Sequence, residues 1–391
     1  MKEIDPKIYK KHHSFQDFKS HKTGIIEYQK SRAVRVLNEW FQGVIVSNHP
    51  VHQKENFNDT LNQVLTDLTS TSEDVLFKIT PFIAEEMYTY SDEELLRFFY
   101  HRYRYDVFPQ MEKIDNYPPY LQIEPSSICN YRCVFCYQTD TNFFKKTTPG
   151  MGQMTLELFQ NIVDEASGNI EFLSLASRGE PLLAKDIERM LMYAKGKFLN
   201  LKVNTNASLL TEAKVHALLA GGVKTVVFSA DAAEEPLYSQ LRVNGKLEKV
   251  LANIKMFQSI REKEYSNLPI ITRVSGVKVT EKQDMDSMER VWGGLVDQVA
   301  FVNYNPWENI YEAKPNGQTK ICSDLYRRMF IWQDGLTNPC DSDYKSDLRI
   351  GKFPDFNISQ LWRMERYENL RNAHKTGNRQ LVNPCKGCVV V

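Results

Sequence analysis

Between residues 120 and 302, short apolar runs alternate with longer stretches whose apolar positions recur every three or four residues. The short runs lie at 120–124, 170–175, 201–204, 223–229, 270–279 and 298–302, and they read as strands. The stretches at 155–166, 185–195, 212–219, 247–260 and 283–292 carry one apolar face each and read as amphipathic helices. Six strands alternating with helices predict an α/β fold with a parallel sheet built from βαβ units. In such folds functional residues collect at the C-terminal ends of the strands.

The flanking regions follow other patterns. In 28–41, Val34, Leu37 and Phe41 recur at helical spacing, and in 57–68 Leu61, Val64, Leu65 and Leu68 share one face. Ser91 followed by Glu94 forms a capping-box signature ahead of Leu95, Leu96, Phe98 and Phe99. Residues 1–117 are therefore expected to be mainly helical, with Pro118 and Pro119 marking a boundary. A central domain over 118–303 and a C-terminal one over 304–391 follow. The last ninety residues are rich in turn signals and show one helix, over 359–373. A segment so poor in regular elements needs something besides a large core to hold it, and four cysteines can supply it.

Composition narrows the function classes. With 42% hydrophobic and 25% charged residues, the chain has ample core and is not a disordered protein. Its 49 basic and 49 acidic residues balance, which argues against a dedicated nucleic-acid or anionic-membrane binder. No run reaches the roughly 18 apolar residues of a membrane span. The charged N-terminus has no apolar stretch behind it, so no secretory signal is expected and the cytoplasm is the expected compartment. His12–His13 and the His49/His52 pair lack accompanying cysteines or carboxylates at zinc spacing and read as solvated polar residues. His216 reads as a surface residue and His374 as structural.

Seven cysteines are distributed unevenly: three between 129 and 136, four between 322 and 388, and none elsewhere. Cys129, Cys133 and Cys136 follow the first predicted strand at Cys-x3-Cys-x2-Cys spacing, with Tyr137 next. Three thiolates on one tight loop can hold three corners of a cubane cluster and leave one iron open; a zinc knuckle is the alternative. The loop resembles the signature of the radical S-adenosylmethionine (SAM) superfamily. That resemblance implies a partial (β/α)6 TIM-like barrel with SAM chelated to the open iron. It also implies reductive cleavage of SAM to a 5′-deoxyadenosyl radical that abstracts a substrate hydrogen. Residues 177–181, Ser-Arg-Gly-Glu-Pro, resemble the Gly-Gly-Glu-Pro segment that binds the SAM amino group. Glu180 would then be the acceptor and Gly179 the point of close backbone approach, while Arg178 stands where a glycine is usual. By the same resemblance Asn204 and Asn206 would meet the ribose, and Ser229 and Arg242 the SAM carboxylate. Taken singly, each of these also reads as a strand-end cap or a surface polar residue.

The other four cysteines form Cys322-x12-Gly335-x4-Cys340-x44-Cys385-x2-Cys388. Four thiolates suit a fully ligated 4Fe–4S cluster or a structural zinc equally. The Cys-x(9–15)-Gly-x4-Cys opening, with a short hairpin after Phe330 and a helix beginning near Ile358, is similar to the SPASM or twitch extension of radical SAM enzymes. That likeness implies a second, auxiliary 4Fe–4S cluster in a small loop-rich domain, in the one-cluster form. Three and four ligands use all seven thiols, so no cysteine remains to return a hydrogen atom as epimerases of the family do. The resemblance instead favours dehydrogenation of a sugar- or aminocyclitol-like alcohol. Arg273, Tyr304, Trp307, Asp341 and Asp343 are the candidates to meet the substrate, and an electron donor such as flavodoxin or ferredoxin is implied. Two other readings stand beside it: a peptide maturase, and a metal-stabilised binding protein without turnover.

Overall fold

The strands at the centre of the chain form where β-branched and aromatic residues can be buried on both faces of a sheet. The structure is a computed structural model that describes residues 23–143 and 150–391; His12, His13 and His21 lie outside the described residues. Strands β1 (Tyr120–Ile123), β2 (Phe172–Leu175), β3 (Asn200–Thr205), β4 (Val223–Ser229), β5 (Ile271–Lys278) and β6 (Gln298–Asn303) lie side by side in this order, all parallel. Each coincides with one of the predicted runs to within two residues at either end. Leu121, Ile123, Leu173, Leu175, Leu201, Val203, Val226, Phe228 and Val274 point outward into a core shared with the covering helices. Those helices are Leu156–Ala166, Ile187–Ala194, Glu212–Ala220, Leu247–Glu264 and Met285–Gly293. Threonine or aspartate side chains begin three of them: Thr155 accepts from Leu158 N, Thr211 from Lys214 N, and Asp284 from Asp286 and Ser287 N. The alternate positions, Gln122, Lys202, Val227 and Arg273 among them, face an internal cavity.

The barrel is open, and its first strand is not an edge. Strand β7 (Arg328–Ile331) pairs in parallel with β1, Tyr120 opposite Arg328 and Ile123 opposite Ile331. β8 (Leu336–Asn338) folds back antiparallel on β7, and β9 (Gly351–Lys352) continues it into a nine-stranded sheet. The hairpin turns at Gly335, whose φ is +85° and whose Cβ, if present, would lie 2.2 Å from the Phe353 carbonyl oxygen, so only glycine fits. The expected 359–373 helix is two helices, Ile358–Trp362 and Glu365–Lys375. The chain is extended at Met364, and Arg371 Nη2 reaches back to hold the Trp362 carbonyl at 3.1 Å. The first helix is thereby ended from within the second.

Four helices, Ile25–Phe41, Phe57–Thr69, Pro81–Met87 and Asp92–Asp106, precede the barrel, and both hydrogen bonds of the Ser91–Glu94 capping box are present. Val36, Leu37, Leu61, Val64, Leu96 and Phe99 build their own core, which Tyr120, Phe172 and Leu199 join from the starts of β1, β2 and β3. The helical layer thus sits beneath the N-terminal ends of the strands, away from the end where function is expected. His49 and His52 are not solvated as the sequence suggested. His49 caps the Pro50–Gln53 turn through Val51 N, and His52 packs against Trp40 and Phe57 with both ring nitrogens buried. Among the described residues no helix is long and apolar enough to cross a membrane.

Candidate active site

The first cysteine loop leaves the C-terminal end of β1 and is held by backbone on both flanks. Arg132–Cys133 pairs antiparallel with Arg242–Val243, and Val134 N donates to Leu241 O at 3.0 Å. On the other side Glu180 N donates to Ile128 O at 2.9 Å. Gly179 passes so close that a Cβ would lie 2.3 Å from Ser126 O and 2.5 Å from Ile128 O. A side chain at this position would collide with the backbone that leads into the cysteine loop. Burial pushes the Cys129 thiol up to about 12 and that of Cys136 well above the usual thiol range. The loop therefore favours thiolates only where a metal charge compensates them.

A cavity of about 390 Å³ opens beside this loop and runs into the barrel. Its wall contains Cys129, Cys133, Cys136, Tyr137, Gly179, Glu180, Asn204, Asn206, Ser229 and Arg242, which are all the residues assigned to the cluster and to SAM. Their local bonds differ from the simplest expectation in three places. Glu180 accepts from Leu182 N (3.1 Å), Thr205 Oγ1 (2.6 Å) and Asn206 N (2.8 Å), so it ties the β2 loop to the end of β3. Asn206 spends its amide on Asn130 and Ser208, bracing the cysteine loop. Arg242, expected to face a carboxylate of SAM, pairs with buried Asp231 at 2.6 Å and approaches Cys133 Sγ at 3.8 Å. In contrast, Asn204 Oδ1 and Gln138 Oε1 are buried in the cavity wall without a hydrogen-bond partner. A buried acceptor left without a partner costs roughly 1–3 kcal/mol. These two oxygens therefore fit a ligand with hydroxyl or amine donors, which SAM has.

Among the substrate candidates, Arg273, Tyr304, Trp307 and Asp341 line the same cavity and Asp343 does not. Asp343 is fully buried and accepts from Tyr311 Oη (2.7 Å) and from the backbone of Asp347 and Leu348, both at 2.9 Å. It shapes the loop after Cys340 and has no path to a substrate. Asp341 accepts from Gln122 Nε2 at 2.9 Å and from Ser177 Oγ at 2.9 Å. Tyr304 donates to Glu308, and Trp307 Nε1 donates to Ser342 Oγ at 3.1 Å. Ser177 holds a φ of 128°, a strained value for a residue with a side chain, at the mouth of β2.

Cys322, Cys340, Cys385 and Cys388 converge on one small enclosed cavity, with Trp307 and Asp341 in the wall it shares with the larger one. Burial raises the Cys322 thiol to about 11. Arg379 staples the surrounding loops through the carbonyls of Lys320, Cys388 and Val390 at 2.7–2.8 Å. His374 Nδ1 accepts from Cys322 N at 3.3 Å, a structural role as expected. Among the described residues no three His, Cys, Asp or Glu side chains are gathered tightly enough for a single metal ion. Four thiols around one cavity are the ligand set of a fully coordinated 4Fe–4S cluster or of a structural zinc.

Sequence reasoning missed Glu124 and the work done by Arg178. Glu124, fully buried at the end of β1, receives Arg178 Nε at 2.7 Å and Nη2 at 2.6 Å. The same guanidinium reaches Tyr344 O (3.0 Å) and Gly150 O (3.3 Å) and lies 4.4 Å from the Trp332 ring. An acid ending an apolar strand, and an arginine where a glycine is usual, were the available signals.

Comparison with known families agrees with the two cysteine sites. The sequence model of the radical SAM superfamily matches residues 123–276, and that of the SPASM iron–sulfur cluster-binding domain matches 322–389. The chain carries a radical SAM domain followed by a SPASM iron–sulfur cluster-binding domain. Its cofactors are therefore a 4Fe–4S cluster and SAM at the first site and iron–sulfur at the second. An AdoMet-dependent heme synthase of Methanosarcina barkeri is 28% identical over 57% of this chain and 59% of its own length. A GTP 3′,8-cyclase of Clostridium botulinum is 28% identical over 49% of this chain and likewise 59% of its own. The chain thus spans a little over half the length of these two relatives. An S-adenosyl-L-methionine-dependent 2-deoxy-scyllo-inosamine dehydrogenase of Niallia circulans is 22% identical over 68% of this chain and 91% of its own. Streptococcus suis SuiB bound to precursor peptide SuiA shares the fold, with a TM-score of 0.52 and 14% identity over 85% of this chain and 82% of that one. So does anSMEcpe with bound AdoMet, also at 0.52, with 16% identity over 69% of this chain and 88% of that one.

Proposed function

We propose that the protein is an oxidising radical SAM enzyme that removes two hydrogens from an alcohol of a sugar- or aminocyclitol-like small molecule. When bound, the two clusters and SAM supply a carbon-centred radical oxidant and an electron acceptor. The chain's own residues do the rest. Asn204 and Gln138 offer acceptors for SAM from the cavity wall. Tyr137, buried and donating to Ser177 O at 2.8 Å, fixes the floor beside the cysteine loop. Asp341 accepts the proton of the substrate hydroxyl; its donors Gln122 and Ser177, both at 2.9 Å, fix it in the cavity wall. The observation that carries this reading is the position of Asp341, next in sequence to Cys340 and in the wall common to both cysteine cavities. The likeness to the dehydrogenase over 91% of that enzyme supports the same class. Reducing equivalents would come from a carrier of flavodoxin or ferredoxin type.

The test is anaerobic turnover of reconstituted, dithionite-reduced protein with SAM and a panel of polyols, aminocyclitols and short peptides. One 5′-deoxyadenosine per product two mass units lighter than a polyol or aminocyclitol is expected. Asp341→Asn should lower kcat about 10²–10⁴-fold, with a smaller change in KM. Modification of peptides alone would replace the small-molecule reading with that of a peptide maturase. Absence of 5′-deoxyadenosine would remove the enzymatic reading altogether.

A further inference from the structure

The family resemblance places Arg242 opposite the carboxylate of SAM, but its surroundings give the guanidinium another task. Arg242 and Cys133 are direct partners in the short antiparallel ribbon that flanks the cysteine loop. Arg242 Nε lies 2.6 Å from Asp231 Oδ2, and its Nη1 lies 3.8 Å from Cys133 Sγ. A guanidinium is a rigid planar fork, so fixing Nε also fixes where Nη1 points. Asp231 is gripped in turn. Its Oδ1 accepts from Val277 N at 2.7 Å, and Gln283 Nε2 donates to its carbonyl at 2.6 Å and to that of Val277 at 2.8 Å. Asp231, Arg242, Gln283 and Cys133 are all buried. Arg242 and Cys133 border the large cavity, whereas Asp231 stands outside its lining. Cys129 Sγ receives a neutral backbone donor, Tyr131 N at 3.4 Å; at Cys133 the donor is a cation.

Reduction adds one negative charge to an iron–sulfur cluster, so hydrogen bonds to the ligand sulfurs and the net charge around them set its potential. We infer that Arg242 is a positioning residue that raises the reduction potential of the first cluster through Cys133, and that Asp231 limits the rise by neutralising it. The buried pair thereby sets how readily the cluster takes up the electron that SAM cleavage consumes. Neither residue's role depends on which substrate is oxidised.

Redox titration of the reconstituted, SAM-free protein, followed by low-temperature paramagnetic resonance, tests this; the signal that added SAM perturbs identifies the first cluster. Arg242→Gln should lower the reduced-to-oxidised ratio at a fixed potential about tenfold, a midpoint about 59 mV lower for one electron. Arg242→Lys should recover part of that loss. Asp231→Asn keeps an oxygen for Val277 N but no longer neutralises the guanidinium, so its midpoint should rise. Asp231→Asn combined with Arg242→Gln strands no buried charge and should lie below wild type. Where Arg242→Gln alone fails to hold iron, Asp231→Asn and the double variant still decide. SAM affinity should stay within about threefold of wild type in the variants. Unchanged midpoints, or midpoints of Asp231→Asn and the double variant that move in the same direction, overturn the inference. Unchanged SAM-free midpoints with SAM affinity more than about tenfold weaker in Arg242→Gln would overturn it too and return Arg242 to the SAM carboxylate.

Discussion

Replacing Arg178 by alanine removes the only cation that faces Glu124 among the contacts of that carboxylate described above. Glu124 has no solvent exposure, and both of its oxygens are held by the guanidinium at 2.6–2.7 Å. Breaking a buried pair from one side leaves a charge in a dry site and costs about 3–5 kcal/mol. The unfolding entropy of roughly 2.1 cal/mol/K per residue scales, for 391 residues, to about 0.8 kcal/mol/K, so a melting-temperature drop of about 4–6 °C is expected. Arg178→Ala combined with Glu124→Ala should lose less than Arg178→Ala alone, because no charge is then stranded. Calorimetry of the reconstituted protein reads both numbers. A single variant within 1 °C of wild type, or a double variant that loses at least as much as the single one, would refute the reasoning. The bonds to Tyr344 and Gly150 add a second readout, since the loop after Cys340 should become more sensitive to limited proteolysis.

Two further outcomes follow from the same geometry. Gly179→Ala places a methyl group 2.3 Å from Ser126 O, so the cysteine loop must shift; iron at the first site should fall while the second site keeps its cluster, as iron counting and low-temperature paramagnetic resonance would show. Burial holds His49 down to about 4 and His101 well below its usual range, so both stay neutral in the folded chain. Unfolded histidines take up protons below about pH 6.5. The stability of the helical layer is therefore complete above that value and is lost as pH falls toward 4, by at most about 1.4 kcal/mol per pH unit for each group. Urea midpoints at pH 7 and pH 5 should differ accordingly, and His101→Gln should narrow the difference.

Much of this molecule could be read from spacing. The six apolar runs and the Ser91 capping box are local signals, and the structure follows them to within a few residues at each end. The cysteine intervals suggested two separate groups, and the structure brings each group to its own cavity. What could not be read was pairing over long separations. Nothing in Arg328–Ile331 says that it lies parallel to Tyr120–Ile123, because an edge position is set by what else is missing from the sheet. The partner of Glu124 was equally hidden, since an acid at a strand end looks the same whether it meets water or Arg178. The split at Met364 was invisible because the apolar spacing runs straight through it, and the interruption depends on Arg371 reaching Trp362 O. Asp343 looked as reactive as Asp341, and only the loop's internal hydrogen bonds separate them.

The hydrogen-bonded seam between β1 and β7 ties assembly of the molecule to its own far end. A fragment trimmed after β6 would present the bare backbone of Tyr120–Ile123 to other chains, an invitation to stick that natural sheets avoid. Synthesis makes β1–β6 before β7, so that seam stays open until residues 328–331 emerge, and cluster loading at the first loop would compete with the closing of that gap.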